Sequence, residues 1–223
     1  MSKFLIHACK DRLWYVKQYL IKSMKRQGIS AKNIDIYLDR DEEGCLESCM
    51  KSFAMMPFNE YDTWHLQDDV IICSDFKERT DMLDRLQKNS VICGYCYPLD
   101  ENKHIVGHVK ARQMWYSFPC IRIPNNIALC CSDWYYRKVQ KDNAYGIYIR
   151  SKRHDDTLFH IFMEDYFSQH DVLNLKPNLV DHVDYLIGGS VVNKTRAEKE
   201  THAVHFEDVN LVTKLEREFT YVR

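Results

Sequence analysis

Thr63-Trp64-His65-Leu66-Gln67-Asp68-Asp69-Val70-Ile71-Ile72-Cys73 is an apolar, strand-forming run interrupted by two adjacent aspartates. Such a run buries side chains in a sheet, and a buried carboxylate is costly unless it is paired, hydrogen-bonded or bound to a cation. Carboxylate oxygens are hard ligands that suit Mg²⁺ or Mn²⁺. Such an ion commonly carries the phosphates of a nucleotide, so the acid pair points first to nucleotide-sugar chemistry.

Working outward from this stretch, Lys3–Cys9 reads as a first strand, and Leu13, Val16, Leu20 and Met24 then recur at helical spacing. Gln27-Gly28 is a helix stop. Residues 33–38 alternate as a second strand that runs into Asp39-Arg40-Asp41. Glu42 and Glu43 open a helix that extends to Met56, with acids in the first turn where the helix dipole favours them, and Pro57 closes it. Residues 64–73 read as one third strand, 75–87 as a helix and 90–97 as a further strand. This alternation predicts a single α/β domain with a mostly parallel sheet flanked by helices. Ligands in such sheets bind beyond the carboxyl ends of the strands, so Asp39 and Asp68-Asp69 are expected to share one cleft.

The second half is less regular. Residues 115–119 read as a loop or edge strand, 120–124 as an apolar and basic segment, and Pro124-Asn125-Asn126 as a turn before a helix over 127–139. His154-Asp155-Asp156-Thr157 leads into an amphipathic helix through Tyr166, and a strand is expected over 171–175. Residues 195–223 are polar and read as a helical extension packed on the outside.

The chain has 223 residues, 45% hydrophobic and 28% charged, ordinary values for one globular domain with a full core. No apolar run is long enough to span a membrane, and the N-terminus lacks the pattern of a signal peptide. Nine cysteines, mostly inside apolar segments, fit a reducing cytoplasm in which they act as small hydrophobes. Cys93-Gly94-Tyr95-Cys96 has redox or zinc spacing, but no second such pair exists and core packing accounts for it. The near-zero net charge of −1 hides a basic block: residues 103–153 hold ten Lys and Arg against two Asp and Glu. Trp115, Tyr116, Phe118, Trp134, Tyr135, Tyr136, Tyr145 and Tyr148 interleave with it, a combination that can hold phosphates and stack on sugars or bases, or simply form a solvated face over an aromatic core.

Asp68-Asp69 after an apolar strand in an N-terminal α/β half resembles the GT-A class of nucleotide-sugar-dependent glycosyltransferases. More narrowly, Trp64-His65-Leu66-Gln67-Asp68-Asp69-Val70 and Pro177-Asn178-Leu179-Val180-Asp181-His182-Val183-Asp184 are similar to a small set of phage and prophage-type glycosyltransferase-like proteins, over roughly residues 3–194. The resemblance implies a GT-A-like (Rossmann-like) catalytic domain over 1–194. The metal motif of the class falls on Gln67-Asp68-Asp69, with Gln in place of an acid at its first position. Asp69 would bind Mn²⁺ or Mg²⁺ directly, Asp68 would contact ribose or a metal-bound water, and His182 would be a further metal ligand. Asp155 or Asp156, opening a helix in the second half, would be the general base. His7, Ala8, Cys9 and Asp39 would hold the base and ribose of an NDP-sugar, most simply a UDP-sugar. Lys194 or Arg153 would add charge at the diphosphate.

These residues have plainer alternatives: Asp68-Asp69 as a turn cap, Asp155-Asp156 as helix N-caps and His182 as a core histidine. There is no Walker loop, G-x-G-x-x-G, G-x-S-x-G or H-E-x-x-H, which removes P-loop, dinucleotide, α/β-hydrolase and zincin readings. The expected function is therefore a metal-dependent glycosyltransferase acting on an acceptor hydroxyl of a modified base in phage DNA, a glycan or a protein. A metal-dependent nucleotidyltransferase or nuclease, and an inactive GT-A-like binding module, are the competing classes.

Overall fold

In strand β1 (Lys3–Cys9), Phe4, Ile6 and Ala8 alternate into one core while His7 faces the opposite layer, as the two-residue period of a strand requires. The computed structural model describes residues 2–57, 62–95, 107–112, 118–151, 154–183 and 187. β1 pairs in parallel with β2 (Ile34–Asp39) on one side and with β3 (Asp62–Gln67) on the other. β3 continues through a two-residue turn, Asp68-Asp69, into β4 (Val70–Ile72). The seven-stranded sheet is completed by β5 (Val91–Cys93), β6 (Gly107–Lys110), β7 (Cys120–Pro124) and β8 (Asp171–Asn174), in the order β2-β1-β3-β7-β5-β8-β6. β7 is antiparallel to both its neighbours, β5 and β8 run parallel to each other, and β6 closes the edge antiparallel to β8. β4 leaves this sheet and pairs antiparallel with β9 (Val180–His182), Val70 opposite His182.

Helices cover both faces. On one side α1 (Leu13–Tyr15), a π-helical segment (Val16–Leu20) and α2 (Ile21–Arg26) bring Tyr15, Val16, Leu20 and Met24 against Phe4, Ile6 and Trp64. α4 (Phe76–Leu86) adds Phe76 and Leu83 to the same core. On the other side α3 (Cys45–Ala54), α5 (Asn125–Arg137) and α7 (Asp155–Phe167) pack Leu46, Phe53, Ile127, Phe159 and Phe162 against Val91, Ile121 and Ile123. The short α6 (Gly146–Ser151) precedes α7 and buries none of its residues. The result is one domain, a mixed and mostly parallel sheet between helices, as expected from the alternation in the first half.

Three expectations change. Residues 64–73 are two strands in two sheets, because the acid pair is the turn between them and not an interruption within one strand. Cys120–Pro124 is a fully buried central strand, and Asn125-Asn126 starts α5 directly, with no separate turn. β6, which carries few apolar residues, had no predicted counterpart. Residues 195–223, Cys96, and Trp115 and Tyr116 of the aromatic block lie outside the described residues. No helix among the described residues is long and apolar enough to cross a membrane.

Candidate active site

The carboxyl ends of β1, β2 and β3 converge on the turn that holds Asp68 and Asp69. Both aspartates are almost fully buried, at 7% and 8% exposure. Their compensation comes from Arg12, in the 3₁₀ turn that follows β1 (Lys10–Arg12), itself only 6% exposed. Arg12 Nη1 donates to Asp68 Oδ1 at 3.1 Å and to Asp69 Oδ2 at 2.5 Å. The backbone N–H of Cys9 donates to Asp68 Oδ2 at 2.7 Å, so both oxygens of Asp68 are engaged. Asp68 therefore ties the end of β1 to the end of β3.

Asp69 differs. Its Oδ1 faces Nδ1 of His182, at the end of β9, across 3.6 Å, too far for a hydrogen bond. Neither of these buried atoms has a hydrogen-bond partner in the structure. The β4–β9 register places His182 there, and the Val183 N–H donates to the Asp69 carbonyl at 2.8 Å to hold the two segments together. The buried ring of Tyr95 meets the His182 ring edge-on, with centroids 5.3 Å apart. On the far side of the loop before β9, Arg79 of α4 donates to the carbonyls of Pro177 and Asn178.

The electrostatics follow. Burial and the neighbouring Asp69 charge raise Asp68 above the usual carboxylate range despite Arg12. Burial also works against Asp69, but His182 and Arg12 outweigh it and hold this carboxylate below the usual range. The Cys9 thiol is pushed up to about 12 by burial and by Asp68. A carboxylate oxygen and an imidazole nitrogen, both buried and neither with a hydrogen bond, are a fitting donor pair for a divalent cation. Among the described residues no group of three or more His, Cys, Asp or Glu could hold a metal.

The other predicted residues divide. Asp39 accepts the backbone N–H groups of Glu43 and Gly44, both at 3.1 Å, and fixes the entry to α3. Ala8 lies in the core. His7 is turned to the α3 layer: Nε2 meets His65 Nδ1 at 2.9 Å, Ser52 Oγ lies 3.4 Å from its Nδ1, and burial lowers it to about 4. Asp155 is the first residue of α7, 8% exposed, and bears on the thiol of Cys45 at the start of α3. Because α3 begins just past the carboxyl end of β2, Asp155 stands at the same edge of the sheet as the acid pair. No described hydrogen bond or ion pair joins it to Asp68 or Asp69. Burial and the Asp156 charge push Asp155 up to about 7. Asp156 accepts the Thr157 N–H at 2.6 Å in a local cap. Lys194 and Arg153 lie outside the described residues. The structure thus adds Arg12, Tyr95 and Cys45 to the set; a cation three residues past a strand end was the only sign of Arg12 in the sequence.

No family model matches the chain, and no curated protein matches it. Among solved structures, TarS residues 1–349 from S. aureus superposes over 98% of this chain and 71% of that one, with a TM-score of 0.52 at 14% identity. A Bacillus anthracis protein provisionally assigned as a glucose-1-phosphate thymidylyltransferase, in complex with a sucrose, covers 82% of this chain and 89% of its own at 8% identity, with a TM-score of 0.45. At 14% identity the TarS likeness establishes the fold alone. That fold is GT-A-like, of the Rossmann-like α/β kind.

Proposed function

We propose that this chain is a metal-dependent glycosyltransferase that moves a sugar from a nucleotide-sugar donor, most simply a UDP-sugar, to an acceptor hydroxyl. The observation that carries the reading is the buried Asp69 Oδ1–His182 Nδ1 pair, 3.6 Å apart and without a hydrogen bond, at the carboxyl edge of a GT-A-like sheet. Asp69 and His182 are the residues that would hold Mn²⁺ or Mg²⁺. When bound, the ion neutralises charge on the leaving diphosphate. Asp68 keeps the turn in place through Cys9 and Arg12. Asp155 takes the proton of the acceptor hydroxyl; its rise to about 7 suits a base that works near neutral pH. Lys194 or Arg153 would supply cationic support at the diphosphate, and Cys9 and Asp39, at the ends of β1 and β2, remain as the nucleoside end, whereas His7 is engaged with His65 and Ala8 lies in the core.

Residues 1–194 form the catalytic domain in this reading and 195–223 an extension. Eight described cysteines are free thiols, which suits a reducing cytoplasm. The acceptor is a phage DNA base, a glycan or a protein.

The test is a thermal-shift and donor-hydrolysis panel of nucleotide sugars with and without Mn²⁺, run beside Asp69→Ala. The expected result is stabilisation by one nucleotide only with the metal, together with slow donor hydrolysis, both lost in the variant. Binding without turnover would indicate an inactive module. Turnover of polynucleotide or nucleoside triphosphate instead would indicate the nuclease or nucleotidyltransferase class.

A further inference from the structure

The side of the acid turn that faces His182 offers a cation little. Asp68 spends both oxygens on Cys9 and Arg12, and Asp69 spends Oδ2 on Arg12. What remains among the described residues is one carboxylate oxygen and one imidazole nitrogen, with two negative charges already opposed by one buried positive charge. Resident Mg²⁺ or Mn²⁺ sites are built on several oxygen donors. A fixed unit charge within a few ångströms of a divalent ion changes its affinity by well over tenfold, even at an effective dielectric of about 20.

We propose that Arg12 is a built-in counter-cation that makes divalent-ion binding at Asp69 and His182 conditional on a diphosphate, which brings both the missing ligands and the missing negative charge. This rests on the metal-and-nucleotide reading above and adds to it a regulatory consequence: the free protein stays largely unloaded, and ion and donor enter together. Arg12 is a positioning residue. It holds the two carboxylates in one geometry before substrate arrives, so little has to reorganise when the ion enters.

The proposal makes a charge-counting prediction that a merely structural arginine would not. Mn²⁺ binding is followed by the paramagnetic resonance of the free ion, without nucleotide, for wild type, Arg12→Met, Asp68→Asn and the double variant. Arg12→Met is expected to bind Mn²⁺ at least tenfold more tightly than wild type. Asp68→Asn, although Asp68 is not a ligand, is expected to bind at least tenfold more weakly. The double variant, with its net charge restored, is expected to return to near wild type. Wild type with UDP is expected to bind Mn²⁺ at least tenfold more tightly than without it.

Single variants that do not shift in opposite directions, while wild type still binds Mn²⁺ with UDP, would overturn the role of Arg12 and leave the metal site standing. Should Arg12→Met fail to fold, Asp68→Asn decides: an unchanged affinity sinks the proposal. If no variant binds Mn²⁺ even with UDP or the diphosphate that the donor panel selects, the metal reading itself fails and this inference fails with it.

Discussion

At the residue scale, Asp155 begins α7, where the helix dipole favours a charged carboxylate, yet burial and Asp156 raise it to about 7. Its protonated form is the one the folded state prefers. That contribution is fully present below the ordinary carboxylate range and is lost as pH rises through about 7. Asp155→Asn should therefore be more stable than wild type by about 1–3 kcal/mol at pH 8, with the advantage shrinking toward pH 4. Urea unfolding at several pH values measures this. The same substitution should cut transfer at least about 100-fold, and wild-type transfer should rise with pH through about 7. His182→Ala should abolish the Mn²⁺-dependent part of nucleotide stabilisation, and should also cost about 1–3 kcal/mol of metal-free stability, because it removes a largely buried ring from Tyr95 and a partner from the buried Asp69 carboxylate; an unchanged metal response would exclude His182 as a ligand. Asp68 and Asp69 were legible in the sequence because two acids in an apolar run are a local anomaly. Arg12 was not, because its partners lie 56 and 57 positions away and its own neighbourhood reads as a solvated turn.

At the element scale, two buried devices keep the strands in register. Arg122 on β7 is wholly buried, pairs with Asp62 of β3 and Asp84 of α4, and donates to the carbonyls of Leu83, Gln87 and Ser90. Arg122→Met leaves those acids uncompensated and should cost about 3–5 kcal/mol in denaturant unfolding. Gly94 follows β5, where a Cβ would stand 2.7 Å from Cys120 Sγ and 3.1 Å from Leu179 Cδ1. Gly94→Ala should cost about 1–3 kcal/mol, read as a lowered melting temperature. β1, β2 and three helical stretches, over 13–24, 42–56 and 75–87, were legible from apolar spacing, first-turn acids and the Gly and Pro that end them, although the first is divided by a π-helical segment. The antiparallel insertion of β7 was not: Cys-Ile-Arg-Ile-Pro is short, and its direction is set by partners on β3 and β5 that no local pattern names. Nor was the break at Asp68-Asp69, since Val70–Ile72 is equally apolar in either sheet.

At the scale of the whole molecule, a GT-A-like sheet carries a buried acid turn, a histidine from the far end of the chain and a second carboxylate at one edge. That combination was predictable only in part, because fold class follows from alternation whereas the cleft depends on which distant segments meet. A nucleotide with Mn²⁺ is expected to raise the melting temperature of the full chain more than the sum of either alone, and Asp69→Ala is expected to reduce the response to that sum.

The pairing of β4 with β9 also carries a consequence for how the protein comes into being. Non-local strand pairing is slow to form, and β9 is the last described strand to leave the ribosome. Until it docks, the acid turn exists without His182, and the guanidinium of Arg12, made early, is the counter-charge at hand. The two aspartates are thereby compensated as soon as the first strands pair, and the histidine that faces them arrives only with the last described strand.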